Sequence, residues 1–138
     1  MRFMVLMIPK VYQGPTAPNF APAADAVEKM MKYNEQLAKA GVLLQLDGLT
    51  PPEKGVRVHF KGGKPTVTDG PFTESKEIVG GFWMLQVKSR DEAVEWARRI
   101  PAADGDIVEL RQVFEMSDFP ADVQAAADSN FVKTAIAK

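Results

Sequence analysis

Short runs that are apolar at every position alternate along this chain with stretches in which apolar residues recur at helical spacing. The run 3–8 is apolar throughout, which is typical of a strand covered on both faces. From Ala23 the spacing becomes helical, and Gly41 supplies the stop signal of a first helix. The residues predicted to form its buried stripe are Val27, Met30, Met31, Leu37 and Ala38.

Strict alternation of apolar and polar residues predicts a β-hairpin in the middle of the chain. Segment 56–61 alternates, and Gly62-Gly63 is a two-residue turn signal that leads into a second arm. In this register His59 faces Thr66 on a polar face of the hairpin. The apolar face has four members, Val58, Phe60, Pro65 and Val67.

Three more apolar segments, at 42–46, 79–87 and 107–114, complete the predicted strands. Ser89 and Glu92 form a capping box in front of a second helix, in which Glu92 is expected to bond the amide of Ser89. Without the hairpin the order is βαββαβ, which predicts a ferredoxin-like α+β fold. We place this domain at 1–119 and a helical tail at 120–138, beginning near Pro120.

The strands at 3–8 and 82–85 are apolar on both faces, although this fold has helices on only one side of its sheet. A large exposed apolar patch is uncommon on a soluble monomer. Either the tail folds across the second face or a second subunit packs there. We expect a homodimer joined sheet to sheet, since twofold symmetry is the commonest closed arrangement.

Composition narrows the function classes. The 138 residues carry a formal charge of −1, so the chain has no basic excess for binding nucleic acid directly. There is no cysteine and one histidine, which argues against disulfides, thiolate chemistry and a transition-metal site. The first apolar run is too short to cross a membrane, so we expect a cytoplasmic protein.

No cofactor motif is present, and we expect no cofactor. Gly80-Gly81 precedes a strand rather than a helix, so the pair lacks the helix dipole of a phosphate loop. Close approach of another segment to this backbone, or a bulge, explains the two glycines better.

Asp69 and His59 are the candidate catalytic residues. Asp69 falls on the Val67 side of the hairpin, and there we expect it to face the interior, where burial would suit a general acid or base. The alternative for Asp69 is turn chemistry, in which its carboxylate bonds the following amides. His59 either shuttles a proton near neutral pH or is simply solvated beside Arg57 and Lys61.

Five residues are candidate ligand contacts: Asn34, Phe72, Glu74, Lys76 and Trp83. Asn34 lies on the predicted buried stripe of the first helix, where it either reaches a cleft or bonds a strand carbonyl. Glu74 and Lys76 form either an exposed ion pair or the polar lip of a cleft. Phe72 is either a loop anchor or a ligand-stacking ring, and Trp83 belongs to the core, the dimer interface or a cavity.

The segment Asp69-Gly70-Pro71-Phe72, followed by Glu74, Lys76 and Glu77, resembles the signature of the DGPF subgroup of the YCII-related family. The neighbouring pieces agree in order: 34–44 is similar to the family's first helix and second strand, and 60–68 to its hairpin. Segments 87–96 and 111–115 resemble its second helix and last strand. The resemblance covers about 1–119.

The resemblance implies a ferredoxin-like fold in a dimeric α/β-barrel arrangement. In the wider group a histidine–aspartate pair in a cleft is suspected of catalysis, and one branch removes chloride from an aromatic diol or triol. In that branch the histidine lies on the first helix, at a position aligned with Met30 or its neighbours here.

Two functions remain open at this stage. The first is acid–base catalysis on a small hydroxylated or anionic substrate by Asp69 with His59, Glu74 or Lys76. The second is a non-catalytic ligand-binding or regulatory dimer. The resemblance connects the second to sigma-factor regulation, because family members are often encoded beside sigma factors.

Overall fold

A computed structural model describes residues 1–17, 19–72 and 77–136 of the chain. Four strands form one antiparallel sheet in the spatial order β2-β5-β1-β6. These strands are β1 (Arg2–Ile8), β2 (Leu43–Gly48), β5 (Gly81–Gln86) and β6 (Ile107–Gln112). Two helices, α1 (Ala24–Lys39) and α2 (Arg90–Arg98), alternate with them. The mixed α+β architecture is compatible with the predicted ferredoxin-like fold.

The hairpin inserted between β2 and β5 forms a separate two-stranded sheet. Its arms are β3 (Val56–Lys61) and β4 (Lys64–Asp69). His59 pairs with Thr66, and Val58 pairs with Val67, so the predicted register is confirmed. At the tip, Gly62 and Gly63 have φ of 61° and 78°, values that side-chain-bearing residues rarely adopt.

The core lies between the helices and one face of the four-stranded sheet. Ten buried residues form it, namely Phe3, Val5, Tyr33, Leu37, Val42, Trp83, Leu85, Val87, Ala93 and Ile100. The second half of α1 supplies Tyr33 and Leu37 to this core. Three of the five residues in the predicted stripe of α1, Val27, Met31 and Ala38, are exposed, so the prediction that they are buried is wrong.

Helix α2 begins at the predicted capping serine. The amide of Glu92 donates to Oγ of Ser89 over 3.1 Å. Oε2 of Glu92 accepts from the amide of Lys88 rather than from that of Ser89, so the box closes one residue earlier than predicted. Either bond satisfies a backbone donor that would otherwise lack a partner at the helix start.

The second face of the sheet remains partly exposed in the single chain. Met4 pairs with Met84 and Leu6 with Phe82 on that face, and all four side chains are half-buried. The tail contains two short helices, α3 (Ala121–Ala126) and α4 (Asn130–Ile136). The tail leaves its own apolar residues in solvent, since Phe131 is 92% exposed.

Candidate functional site: an apolar cavity under the first helix

A cavity of about 880 Å³ opens between the first half of α1 and one end of the four-stranded sheet. Four elements surround it: the end of β1, the end of β2, the start of β5 and the loop between α2 and β6. The start of β5 lies beside the ends of β1 and β2, because β5 runs antiparallel to both of these strands. Most of the lining is apolar, with methionine, valine, proline and glycine residues prominent.

The first turns of α1 supply one wall of this cavity. Val27, Met30 and Met31 all line it. Val27 and Met31 are 42% and 49% exposed because they face open space instead of packed sheet. The helical spacing of these three residues predicts that they are buried in the core, but in the structure they form a wall of the cavity.

Asn34 and Trp83, both predicted as ligand contacts, meet at the inner end of the cavity. Each lines it, and they are 5% and 6% exposed. The indole Nε1 of Trp83 donates to Oδ1 of Asn34 over 2.8 Å. Of the two alternatives for Asn34, the cleft agrees with the structure, and the hydrogen-bond partner is a tryptophan side chain rather than a strand carbonyl.

Tyr33 supports Trp83 from the core side. Their rings meet edge to face with centroids 6.1 Å apart, a favoured aromatic geometry. The Tyr33 hydroxyl donates to the carbonyl of Trp96 over 2.6 Å. Burial raises the pKa of Tyr33 to about 12, although the positive charge of Arg99 acts in the opposite direction. Asn34 and Trp83 therefore form a hydrogen-bonded inner wall, and Tyr33 packs behind it on the core side.

Two glycines allow the backbone of β5 to approach its neighbours at the edge of the cavity. A Cβ added to Gly80 would lie 2.6 Å from Cγ of Pro9, and one added to Gly81 would lie 3.0 Å from the carbonyl oxygen of Asp47. The prediction of close backbone approach at this pair is confirmed. Both glycines line the cavity, so any side chain here would also narrow it.

Charged residues among the lining are three aspartates and one lysine: Asp47, Asp104, Asp106 and Lys10. The carboxylate of Asp106 accepts from the amides of Lys10 and Ala103, and so it organises the loop backbone. Asp47 and Asp104 are exposed. Asp47 pairs with Phe82, so its side chain lies on the face of the sheet opposite α1. None of the three aspartates is among the site residues predicted from the sequence.

The hairpin does not bring the two predicted catalytic residues together. Asp69 pairs with Val56 on the apolar face, whereas His59 pairs with Thr66 on the opposite face. Both are exposed, and neither lines the cavity. The inward orientation expected for Asp69 is wrong in the single chain, because the apolar face it shares is itself open: Phe60 is 78% exposed. Catalytic roles for Asp69 and His59 stay predictions.

The segment Gly70-Pro71-Phe72, at the base of the hairpin, packs against the loop that precedes β3. The amide of Gly70 donates to the carbonyl of Gly55 over 2.8 Å. The half-buried Phe72 ring lies against Gly55, and the guanidinium of Arg57 sits 3.9 Å from its centroid. These contacts favour the loop-anchor interpretation of Phe72. Glu74 and Lys76 lie outside the described residues.

The described part of the chain offers neither a metal-ligand cluster nor a membrane-spanning helix. No cluster of three or more histidine, cysteine, aspartate or glutamate side chains in 1–17, 19–72 and 77–136 could hold a metal ion. None of the helices in these ranges combines the length and apolar character needed to span a bilayer.

Comparison with known proteins gives a family and one distant relative. The YCII-related domain matches residues 1–117. An uncharacterised protein of Rhizobium meliloti (strain 1021) is 35% identical over 66 residues, which are 48% of this chain and 53% of the relative. The chain thus spans about half the length of the curated relative that it matches. Because the domain match covers most of its residues, this chain belongs to the YCII-related family.

Proposed function

We propose that this protein binds a small, mainly apolar organic molecule in the cavity under α1. The observation that carries this proposal is an apolar cavity of about 880 Å³ whose inner wall contains a buried carboxamide. Ligand sites are typically of this size, with a few well-placed polar groups in an apolar lining. A bound molecule would also cover Val27 and Met31, which a solvent-filled cavity leaves wet.

Binding fits the described lining better than catalysis does. Among the residues that the structure places around the cavity there is no histidine, serine, threonine or tyrosine side chain. The lining therefore lacks the usual nucleophile–base pair. The carboxylate of Asp106 already accepts hydrogen bonds from backbone amides, and that of Asp47 lies on the opposite face of the sheet.

A cavity-filling substitution tests the location of the site. Ala26 is an exposed residue of α1 that lines the cavity, and Ala26→Phe would place a ring in the space a ligand needs. We expect Ala26→Phe to weaken binding of the neutral fluorescent probe N-phenyl-1-naphthylamine about tenfold, equivalent to about 1.4 kcal/mol. Probe fluorescence titrations would give the dissociation constants.

The matched control is Ala38→Phe, which makes the same change at an exposed position of the same helix away from the cavity. This variant should bind the probe within about twofold of the original chain. Equal affinity in all three proteins would place the probe elsewhere on the surface and contradict the proposal. Failure of the original chain to bind the probe would contradict it directly.

We also propose that two chains pair through the second face of the sheet, in the dimeric barrel arrangement that the resemblance implies. The support is the half-buried Met4, Leu6, Phe82 and Met84, together with Ile107, which is exposed on the same face.

Light scattering should give a particle mass of twice the 15.2 kDa chain. Ile107→Lys should shift it toward the monomer, whereas Val132→Lys on the tail should leave it unchanged. A monomeric original chain would refute the pairing.

We further assign the chain to the DGPF subgroup on residues 69–72. The support is that Gly70 and Phe72 have defined structural roles at the root of the hairpin.

A further inference from the structure

The carboxamide of Asn34 has a fixed orientation. Indole nitrogen can only donate a hydrogen bond, so the atom that accepts from Trp83 must be Oδ1. The amide nitrogen Nδ2 is thereby the group left for other partners. Asn34 lines the cavity, and only 5% of the residue is exposed.

Nδ2 has unused capacity as a donor. Within the ranges that the structure describes, its hydrogen-bond acceptor is Sδ of Met31, 3.5 Å away. A thioether sulfur is a weak acceptor, and a carboxamide nitrogen carries two hydrogens. At least one N–H of a buried group therefore lacks a strong partner, which is unusual in folded proteins.

The charge around the cavity selects against anions. The side chain of Asp47 lies on the opposite face of the sheet, because this residue pairs with Phe82. Among the other charged lining residues, Asp104 and Asp106 outnumber Lys10. A negatively charged molecule would have to leave water and approach these carboxylates, and both steps are unfavourable. A neutral molecule with an acceptor oxygen meets neither obstacle.

We infer that the cavity takes an uncharged, largely apolar molecule with a carbonyl oxygen, which accepts a hydrogen bond from Nδ2 of Asn34. This inference rests on the proposed function, because it assigns the ligand class of the same cavity. A carbonyl oxygen fits because it is acceptor-only and can reach a donor at the end of an apolar wall.

Three probes of similar shape test the inference by displacement of N-phenyl-1-naphthylamine. They are 2-acetonaphthone, 2-isopropenylnaphthalene, in which CH₂ replaces the carbonyl oxygen, and the anion 2-naphthoate. A purely apolar cavity would favour the alkene, since the ketone loses hydrogen bonds to water on entry. We expect the ketone to bind at least as tightly as the alkene, and 2-naphthoate about tenfold more weakly than the ketone.

The matched variant is Asn34→Asp, assayed at about pH 9 so that the carboxyl group is ionised. It then keeps an oxygen for Trp83 and has no hydrogen to donate. The ratio of ketone to alkene association constants should fall about tenfold in this variant, because ketone binding loses its donor and alkene binding does not depend on one. Circular dichroism would check folding, and Asn34→Leu would replace this variant if it does not fold, with the same fall in ratio expected.

The outcomes separate the two proposals. Tighter binding of the alkene than of the ketone by the original chain would overturn the inference and leave the proposed function standing. The inference would also be overturned if the Asn34 variant had the same ketone-to-alkene ratio as the original chain, or if the original chain bound 2-naphthoate tightly. If none of the probes binds the original chain, the proposed function itself fails.

Discussion

Gly70→Ala should destabilise the protein by about 3 kcal/mol, near the upper end for an inserted methyl group. A Cβ at this position would overlap the carbonyl oxygen of Pro52 and lie 2.9 Å from its carbonyl carbon. The obstacle is backbone, so it cannot turn aside as a flexible side chain would. Urea unfolding followed by tryptophan fluorescence would give the change in unfolding free energy.

The proper comparison is Gly14→Ala. Gly14 has an ordinary extended conformation, and a Cβ there would meet nothing within 4 Å. Its unfolding free energy should therefore change by less than about 0.5 kcal/mol. Because the hairpin could detach locally, hydrogen exchange at the Gly70 amide should be measured as well. Unchanged stability together with unchanged exchange at Gly70 would show that the close contact with Pro52 is not rigid.

Stability should decline as pH rises above about 10, and Tyr33 should account for much of the decline. Its pKa is about 12 in the folded protein, against an ordinary value of 10.0. The unfolded chain therefore releases this proton first, so the stabilisation is complete below pH 10 and disappears as pH approaches 12. By linkage the loss is about 1.4 kcal/mol at pH 11 and tends toward about 2.7 kcal/mol at higher pH.

Tyr33→Phe removes the ionisable hydroxyl group and with it this pH-dependent contribution to the unfolding free energy. At pH 8 the variant should be about 1 kcal/mol less stable, because the carbonyl of Trp96 loses its hydroxyl donor. Between pH 8 and 11 its unfolding free energy should fall less steeply than that of the original chain, so the deficit narrows. Urea titrations at each pH supply the numbers. Parallel curves for the two proteins would mean that Tyr33 ionises as readily when folded as when unfolded.

The other tyrosine is a useful comparison. Burial also raises the pKa of Tyr12, with a further contribution from the negative charge of Glu53. Tyr12→Phe should therefore flatten the alkaline decline as well.

Local patterns were enough to predict much of the fold. The alternation in 56–61 and the glycines at 62–63 determine the hairpin register, since a slip of one residue would move every apolar side chain to the polar face. Ser89 likewise predicts the start of α2, because a side-chain oxygen at that position satisfies a helix amide. These interactions link residues that are close in sequence.

The candidate site was predicted only in part, since a cavity is a space between distant segments. Asn34 was selected because a polar residue on an apolar stripe needs a partner, and that argument led to the cavity wall. The spacing of Val27 and Met31 is the same whether they pack against a sheet or border open space. The predicted orientation of Asp69 is wrong for a related reason. The register shows which face of the hairpin carries Asp69, but not whether another segment covers that face.

The hairpin has its own ladder of hydrogen bonds, separate from the four-stranded sheet. A Cβ added at Gly62 or Gly63 would meet nothing within 4 Å, so the tip has open space around it. Short exposed turns of this kind tolerate inserted sequence. The tip is therefore a place to attach a fluorescent label or an affinity tag, through which the protein can be immobilised while the cavity under α1 stays accessible.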